Sequence, residues 1–443
     1  MLFGLIFPLF VNTQSPLKEW VFVKEVEMFS QRILELSAQA ERDLGPIFER
    51  IDKIAFDNTA RVLDSFKEHR VSESMFAGTT GYGYDDIGRD TLDKIYADVF
   101  GAKSAFVRHS IANGTSALTI GLFGLLRPND VLLSVTNQPY DTLCEVIGIN
   151  GANGDGSLAD FGVQYDQVDF KNDQIDFEGI EKKLNEYGNR VKVVFIQRSK
   201  GYLNRPTLTI KQIGEICDFV HARSSAYVVV DNCYGEFTEE KEPCHVGADM
   251  IIGSLIKNPG GGIAESGGYI AGTERAVELA SYRLTSAGTG CEVGASLGQN
   301  RNMFKGFFLA PHIVAQAIKT AHFAAYVFEK LGFDVSPKWN EMRSDIIQTI
   351  RFGYPEGLIK FCQGIQSASP VDSYVTPVPW AMPGYADEVI MAAGAFTQGS
   401  SIEISADGPI RPPYTAFLQG GLTFESGKIA ILTSAQRLID SDC

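Results

Sequence analysis

Short apolar runs rich in β-branched residues alternate with amphipathic segments through the middle of the chain. The runs SAFVR, VKVVFIQ, VVVDN and DMIIGS have the length and character of buried strands. Between such runs lie segments with apolar residues at helical spacing, among them Phe177–Tyr187 and Leu208–His221. This β-α-β-α order predicts an α/β fold, in which a mostly parallel sheet is covered by helices on both faces.

Regions of different pattern flank this core. From Lys18 to Arg70, apolar residues at helical spacing and many charges predict a helical arm, with a break at Asp43–Pro46. From Asp334 onward, strand-like and helix-like segments alternate again with a different composition, which predicts a smaller C-terminal α/β domain. The expected parts are an N-terminal extension and arm (1–77), a large domain (78–333) and a small domain (334–443).

Composition narrows the class of protein. The 443 residues are 44% hydrophobic and carry a net charge of −15, which gives no electrostatic reason to bind nucleic acid or anionic membranes. Seven cysteines without paired spacing predict no disulfide framework, so we expect a reducing compartment, the cytoplasm. The six histidines show no metal-ligand spacing, and we predict no metal site. The apolar first eleven residues lack the basic start and cleavage site of a signal peptide.

A carboxylate and an amine follow two of the predicted strands. Asp231 ends the run VVVD, and Lys257 follows the run DMIIGSLI, directly before a glycine-rich turn. The carboxyl ends of parallel strands share one edge of a sheet, so both groups should lie together. A desolvated lysine has a lowered pKa and can form a Schiff base, and a carboxylate can hold a pyridinium N–H. One reading is that Asp231 is an ordinary strand-end acid and Lys257 a solvated lysine. The other is that the two residues form a site for pyridoxal 5′-phosphate, PLP.

Other segments fit such a site. Asn113 to Ser116 precede a strongly apolar helix, whose first N–H groups can bind a phosphate while Asn113 or Thr115 caps the helix. Tyr140, at the predicted end of the strand that begins at Val131, can stack on a flat ring or is simply a half-buried loop aromatic. The glycine- and tyrosine-rich loop before Arg89 is typical of a binding loop, and an arginine there can grip a phosphate or carboxylate.

Taken together, these pieces resemble the methionine γ-lyase-like family of fold type I PLP enzymes, which includes aluminium-resistance proteins and cystathionine-lyase candidates. The resemblance runs from about Gly78 to the C-terminus. It is carried by GYGYDDIGRDTLDKIYADVFGA, NGTSAL, QRSKGY, VVVDNCYGEF, GADMIIGSLIKNPGGG, GPIRPPY and LQGGLTFE. Many members have serine where Asn113 stands and histidine where Ser116 stands, which leaves Gly114 and Thr115 as the safer phosphate contacts.

The resemblance implies a role for each matching residue. Lys257 would form the Schiff base with PLP and then shuttle protons, Asp231 would pair with the pyridine nitrogen, and Tyr140 would stack on the ring. The implied phosphate contacts are Gly114, Thr115 and Ser254, the last in an S-x-x-K arrangement with Lys257.

Further implied roles concern the substrate and a second subunit. Tyr84 and Arg89 match residues that related lyases lend to the neighbouring subunit's phosphate site, so a homodimer or homotetramer with shared active sites is expected. Tyr84 would also be the acid near the leaving sulfur. Arg411 is the candidate for the substrate α-carboxylate, and Arg198 is a second candidate.

The implied function is a PLP-dependent carbon–sulfur lyase that acts on a cystathionine-, methionine- or cysteine-like amino acid by β- or γ-elimination. Two alternatives stay open: an aminotransferase or other amino-acid enzyme of the same fold, and a non-catalytic PLP-binding scaffold. A nucleotide-binding enzyme built on Gly260–Gly268 is disfavoured, because no G-x-G-x-x-G lies between a first strand and its helix.

Overall fold

The structure, a computed structural model, describes residues 28–151, 153–203, 205–382 and 387–440. Its α-helices are α1 (Gln31–Glu68), α2 (Ile87–Phe100), α3 (Gly114–Leu125), α4 (Asp141–Ile147), α5 (Phe177–Tyr187), α6 (Ile210–His221), α7 (Glu274–Leu284), α8 (Asn300–Lys330), α9 (Pro355–Ser367) and α10 (Phe424–Ile439). The strands of the larger sheet are β1 (Ser104–Arg108), β2 (Val131–Ser134), β3 (Gln164–Gln167), β4 (Val191–Gln197), β5 (Tyr227–Asp231), β6 (Met250–Ser254) and β7 (Gly268–Gly272). Those of the smaller sheet are β8 (Asp334–Ser336), β9 (Ile347–Arg351), β10 (Val389–Ala392), β11 (Ser405–Pro409) and β12 (Thr415–Gln419).

The larger sheet has the strand order β1-β7-β6-β5-β4-β2-β3. Its five strands from β6 to β3 pair in parallel, and only β7 runs against its neighbours. The apolar runs of β4, β5 and β6 contribute side chains to two cores, one on each face of the sheet, which explains why these runs are continuous rather than alternating. The predicted mostly parallel sheet flanked by helices is therefore confirmed.

The smaller sheet is antiparallel throughout, in the order β10-β11-β12-β9-β8. One face packs on α9 and α10 through alternate residues such as Ile390, Ala406 and Leu418. Because side chains alternate along a strand, the opposite face is left to line a cavity. Helix α8 contributes to the cores of both sheets, so a division of the chain at residue 334 stays a prediction.

The predicted break in the N-terminal helix is wrong. Helix α1 continues through Pro46, although proline removes one backbone hydrogen bond from a helix interior. Tertiary packing holds both halves in line: Leu44 and Ile51 are buried, and the Phe48 ring lies edge-on to Phe424 with centroids 5.1 Å apart. The long amphipathic helix thus packs on its own chain before and after the proline.

The strand predicted to end at Tyr140 ends at Ser134 instead. The Ser134 hydroxyl donates to the carbonyl of Asn137 at 2.6 Å, and Asn137 has a φ of 68°, which turns the chain out of the sheet. Tyr140 therefore directly precedes α4 rather than closing a strand.

The apolar first eleven residues, and the predicted helical segment before residue 28, lie outside the described residues. Within the described ranges, no helix is both long enough and apolar enough to cross a membrane. All six cysteines in those ranges are free thiols.

Candidate active site

A cavity of about 450 Å³ lies between the carboxyl ends of β4 and β5 and the uncovered face of the smaller sheet. Four residues singled out from the sequence line it: Tyr140, Asp231, Lys257 and Arg411. The parallel sheet thus delivers its polar strand ends to one edge, where ligands bind in open α/β folds.

Asp231 and Lys257 are both buried at this edge. Asp231 is the last residue of β5, is 5% exposed, and accepts a hydrogen bond from the Cys233 N–H at 3.1 Å. The Lys257 ammonium lies 4.2 Å from the centroid of the Tyr234 ring, a cation–π contact. The structure therefore brings the acid and the amine into one site.

The pKa of Lys257 differs from the value that its burial predicts. Burial raises the pKa of Asp231. Burial alone would lower the pKa of Lys257, but the neighbouring Cys233, Tyr234 and Asp231 side chains outweigh burial and raise the pKa above its ordinary value. The lowered lysine pKa expected from desolvation is thus wrong for the ligand-free protein, in which the ammonium is the favoured form.

A polar cradle lies beside Lys257 at the N-terminus of α3. A Cβ built on Gly114 would lie 3.5 Å from the Ser254 Cβ and 3.8 Å from the Lys257 Nζ. Ser254, the last residue of β6, is fully buried, and among the described residues its hydroxyl has no hydrogen-bond partner. The Asn113 side chain caps the helix by accepting from the Ser116 N–H at 2.9 Å. A phosphate fits this place. The first N–H groups of α3 and the unpartnered Ser254 hydroxyl can donate to it, and Gly114 leaves space for it.

Tyr140 is positioned from two sides. Its hydroxyl lies 2.9 Å from the Thr115 hydroxyl, and its N–H donates to the Gln197 side chain at 2.8 Å. Burial raises the pKa of Tyr140, so the phenol stays neutral. The ring is thus fixed at the cavity wall, between the α3 cradle and Asp231.

The two candidate substrate arginines differ sharply. Arg411 follows β11, is half exposed, lines the cavity and pairs with Asp387 at 2.9 Å. Arg198 is fully buried and does not line the cavity. Its guanidinium donates to Asn232 and Gly235 within its own chain, each at 2.9 Å, and is therefore already occupied. The structure favours Arg411 as the partner of the substrate α-carboxylate and argues against Arg198.

The loop that carries Tyr84 lies apart from this cavity. Arg89 is 2% exposed, and its guanidinium donates to the Gly83 carbonyl at 2.7 Å and the Gly294 carbonyl at 2.9 Å. It also pairs with Asp90. Arg89 therefore holds the loop within its own chain. Because its guanidinium is already bonded there, the geometry does not support a direct contact with the phosphate.

Tyr84 itself is exposed. Its ring stacks on Tyr82 with centroids 5.5 Å apart, and the two side chains are 59% and 73% exposed. The loop behind them is held by Arg89 and by a bond from the Gly294 N–H to the Tyr82 carbonyl at 2.8 Å. A rigid loop thus presents two aromatic rings away from the chain's own cavity.

Sequence reasoning missed several residues that line the cavity. Tyr234 lies against Lys257 and has a φ of 72°, which no sequence pattern indicated. Asp407 and Gln419 enter from the smaller sheet. The alternation in SIEISADG was the available signal, since it places Ser405 and Asp407 on one strand face.

Comparisons with known proteins agree with this geometry. The family model for methionine γ-lyase matches residues 33–439. The Bacillus subtilis protein YnbB, whose function is not assigned, is 53% identical over 403 residues, covering 90% of this chain and 95% of that protein.

Two solved structures are similar over nearly their whole length. A carbon–sulfur lyase involved in aluminium resistance from Clostridium novyi is 50% identical with a TM-score of 0.91, covering 95% of this chain and 99% of that one. A cystathionine β-lyase candidate involved in aluminium resistance from Clostridium acetobutylicum is 47% identical with a TM-score of 0.92, covering 96% of this chain and 99% of that one. The predicted fold type I architecture and the predicted lyase class are thereby confirmed, and the chain belongs to the methionine γ-lyase family.

Proposed function

We propose that this carbon–sulfur lyase uses PLP to cleave a cystathionine-, methionine- or cysteine-like amino acid by β- or γ-elimination. The observation that carries the proposal is the convergence of Lys257, Asp231 and the orphan Ser254 hydroxyl at one sheet edge, beside Gly114. These groups match the lysine, the pyridinium partner and the phosphate donors that PLP requires. Family membership supports the carbon–sulfur lyase class, and PLP is the cofactor that the family implies.

Each part of the cofactor has a partner in the site. Lys257 would carry the cofactor, and the Asp231 carboxylate would accept the pyridine N–H. The phosphate would lie at the N-terminus of α3, where the N–H groups of Gly114 and Thr115 and the Ser254 hydroxyl can donate. When bound, PLP supplies an electron-withdrawing ring that stabilises negative charge at the substrate α-carbon.

The side chains around this position supply proton transfer and orientation. The Lys257 amine would remove the proton from the substrate α-carbon and, as an ammonium, return a proton later in the cycle. Asp231 would hold the proton on the ring nitrogen of the bound cofactor. Arg411 binds the α-carboxylate with two N–H groups and gives up its exposed pair with Asp387.

The active unit, on this proposal, is at least a dimer. Tyr84 is exposed and fastened on a loop outside its own cavity, which suits a side chain that completes the site of a second copy. There the phenol donates a proton to the leaving sulfur. The free thiols of the described residues fit a reducing compartment, and we propose the cytoplasm.

Product analysis tests the function. The purified protein, loaded with PLP, is incubated with L-cystathionine, L-methionine or L-cysteine, beside the Lys257→Ala variant. We expect equal amounts of keto acid, ammonia and thiol or sulfide from at least one substrate, and none from the variant. Transfer of the amino group to an added keto acid without thiol release would instead identify an aminotransferase. Bound PLP without any product would identify a scaffold.

A further inference from the structure

The face of the smaller sheet that lines the cavity carries a buried acid. Asp407 lies on β11 with Met391 of β10 and Phe417 of β12 as its cross-strand neighbours, and all three line the cavity. The Tyr202 ring packs on Phe417 with centroids 4.8 Å apart. A carboxylate is thus set among a thioether and two aromatic rings, away from the β5 end that holds Asp231.

This acid is incompletely paired. Asp407 is 7% exposed, and among the described residues its Oδ1 has no hydrogen-bond partner. Its Oδ2 accepts one long bond from the Gln419 Nε2, at 3.4 Å, and the Tyr202 side chain also hydrogen-bonds to the carboxylate. The Gln419 Oε1 is equally buried and also has no partner within the described part of the chain. Two acceptor oxygens therefore lack donors in the same part of the cavity.

The two unpaired oxygens indicate which kind of ligand group can bind beside them. Of the described lysines and arginines, none lies within ion-pair distance of Asp407, and burial raises the pKa of Asp407 to about 7. An ammonium group has three N–H donors and no acceptor, so it can satisfy both oxygens and favour the ionised acid. A methyl group would leave both acceptors unpaired, and a carboxylate would be repelled.

Donors for an anion lie close to these acceptors. The hydroxyls of Ser400 and Ser401 are buried, line the same cavity and lack partners among the described residues. The backbone of Ser401 packs directly against Gly420, the residue after Gln419. A group that bears an ammonium and a carboxylate on one carbon would find acceptors and donors here together.

We propose that Asp407 and Gln419 bind a second ammonium group, carried by the leaving thiol of the substrate. The inference rests on the proposed lyase function and deepens it: the preferred substrates are thioethers whose leaving part is itself aminated, rather than simple S-alkyl amino acids. Arg411 holds one end of such a substrate and Asp407 the other.

The test compares two ligands of equal size. S-(2-aminoethyl)-L-cysteine and S-propyl-L-cysteine differ only by an ammonium in place of a methyl group, and the matching homocysteine pair covers γ-elimination. We measure KM and kcat for keto acid release by the PLP-loaded protein, and dissociation constants by calorimetry. Wild-type protein should bind the aminoethyl compounds at least about tenfold more tightly.

Variants assign the preference to the acid. Asp407→Asn should raise KM for the aminoethyl compounds about tenfold, leave KM for the propyl compounds unchanged and keep kcat similar. Gln419→Met should weaken the preference in the same direction, and Asp218→Asn, on the exposed face of α6, should not change it.

The outcomes separate the two proposals. Equal binding of the two ligands by wild-type protein, no detectable binding of the aminoethyl compound, or an unchanged preference in Asp407→Asn overturns the inference. If a basic side chain from a second subunit already pairs with Asp407, wild-type protein should bind the two ligands equally. Absence of keto acid from every compound overturns the lyase function, while calorimetry still decides the binding preference.

Discussion

The buried, incompletely paired Asp407 of the cavity predicts an unusual dependence of stability on pH. Burial raises the pKa of Asp407 to about 7, whereas an aspartate in the unfolded chain titrates near 3.8. Between these pH values the folded protein keeps a proton that the unfolded chain releases. The contribution of Asp407 to stability is therefore full below about pH 4 and is lost as pH rises through 7.

Replacement by asparagine removes this loss, because the amide stays neutral at every pH. One pKa unit corresponds to about 1.4 kcal/mol, so between pH 5 and pH 8 wild-type protein should lose roughly 2 to 3 kcal/mol relative to Asp407→Asn. Other titrating groups are common to both proteins and cancel in the difference. The carboxylate is kept at this cost in stability, as expected of a residue that serves binding.

The assay is urea unfolding followed by tryptophan fluorescence at several pH values, with PLP bound and no substrate. The control is Asp218→Asn, since Asp218 is exposed on α6 and should follow wild-type protein throughout. If Asp407→Asn also follows wild-type protein from pH 5 to pH 8, the acid is already ionised and paired in solution. That result would refute the reasoning about its burial.

Three further predictions concern the rest of the site. Gly114→Ala should weaken PLP binding at least about tenfold in a spectral titration without changing cofactor-free thermal stability, because its Cβ fits the protein but occupies phosphate space; unchanged affinity would contradict the phosphate assignment. Tyr84→Phe should lower kcat about 100-fold, and mixing it with Lys257→Ala subunits should restore about a quarter of wild-type activity if sites are shared; no restoration would place Tyr84 outside a shared site. Arg411→Ala should raise KM about tenfold or more for every substrate, whereas Asp387→Ala, which only frees that arginine, should not raise KM.

The central strands could be predicted because their apolar runs are continuous. The run before Asp231 ends where β5 ends, whereas β6 ends at Ser254, within the run that precedes Lys257. The parallel-sheet rule then places both groups at one edge, and the structure does bring them into one cavity. Helix α3 was equally clear, since Asn113 is a strong capping residue before an apolar segment.

The remaining features depend on contacts between distant parts of the chain. Pro46 signalled a break that packing of α1 on Phe424 and its neighbours overrides. The position of Arg198 after β4 predicts a contact with the substrate α-carboxylate, but loop residues beyond β5 occupy its guanidinium. The Asp407–Gln419 pair depends on the pairing of β11 with β12, which local pattern does not determine.

Lys257 also shows where a local rule fails. Desolvation alone would lower the pKa of its ammonium, but the sheet edge places Asp231, Cys233 and Tyr234 around it. The direction of the Lys257 pKa shift is set by these neighbours, which lie at or just after the end of β5. Only the folded arrangement reveals them.

The most direct test of the central claim is the visible absorption spectrum of the purified protein beside its Lys257→Ala variant, each with added PLP. Wild-type protein should be yellow, and its spectrum should shift when L-cystathionine, L-methionine or L-cysteine is added. The variant should lack the spectral band that requires a covalent link to Lys257, while Asp218→Asn should keep it. A wild-type protein that stays colourless after PLP is added would contradict the account of the site as a whole.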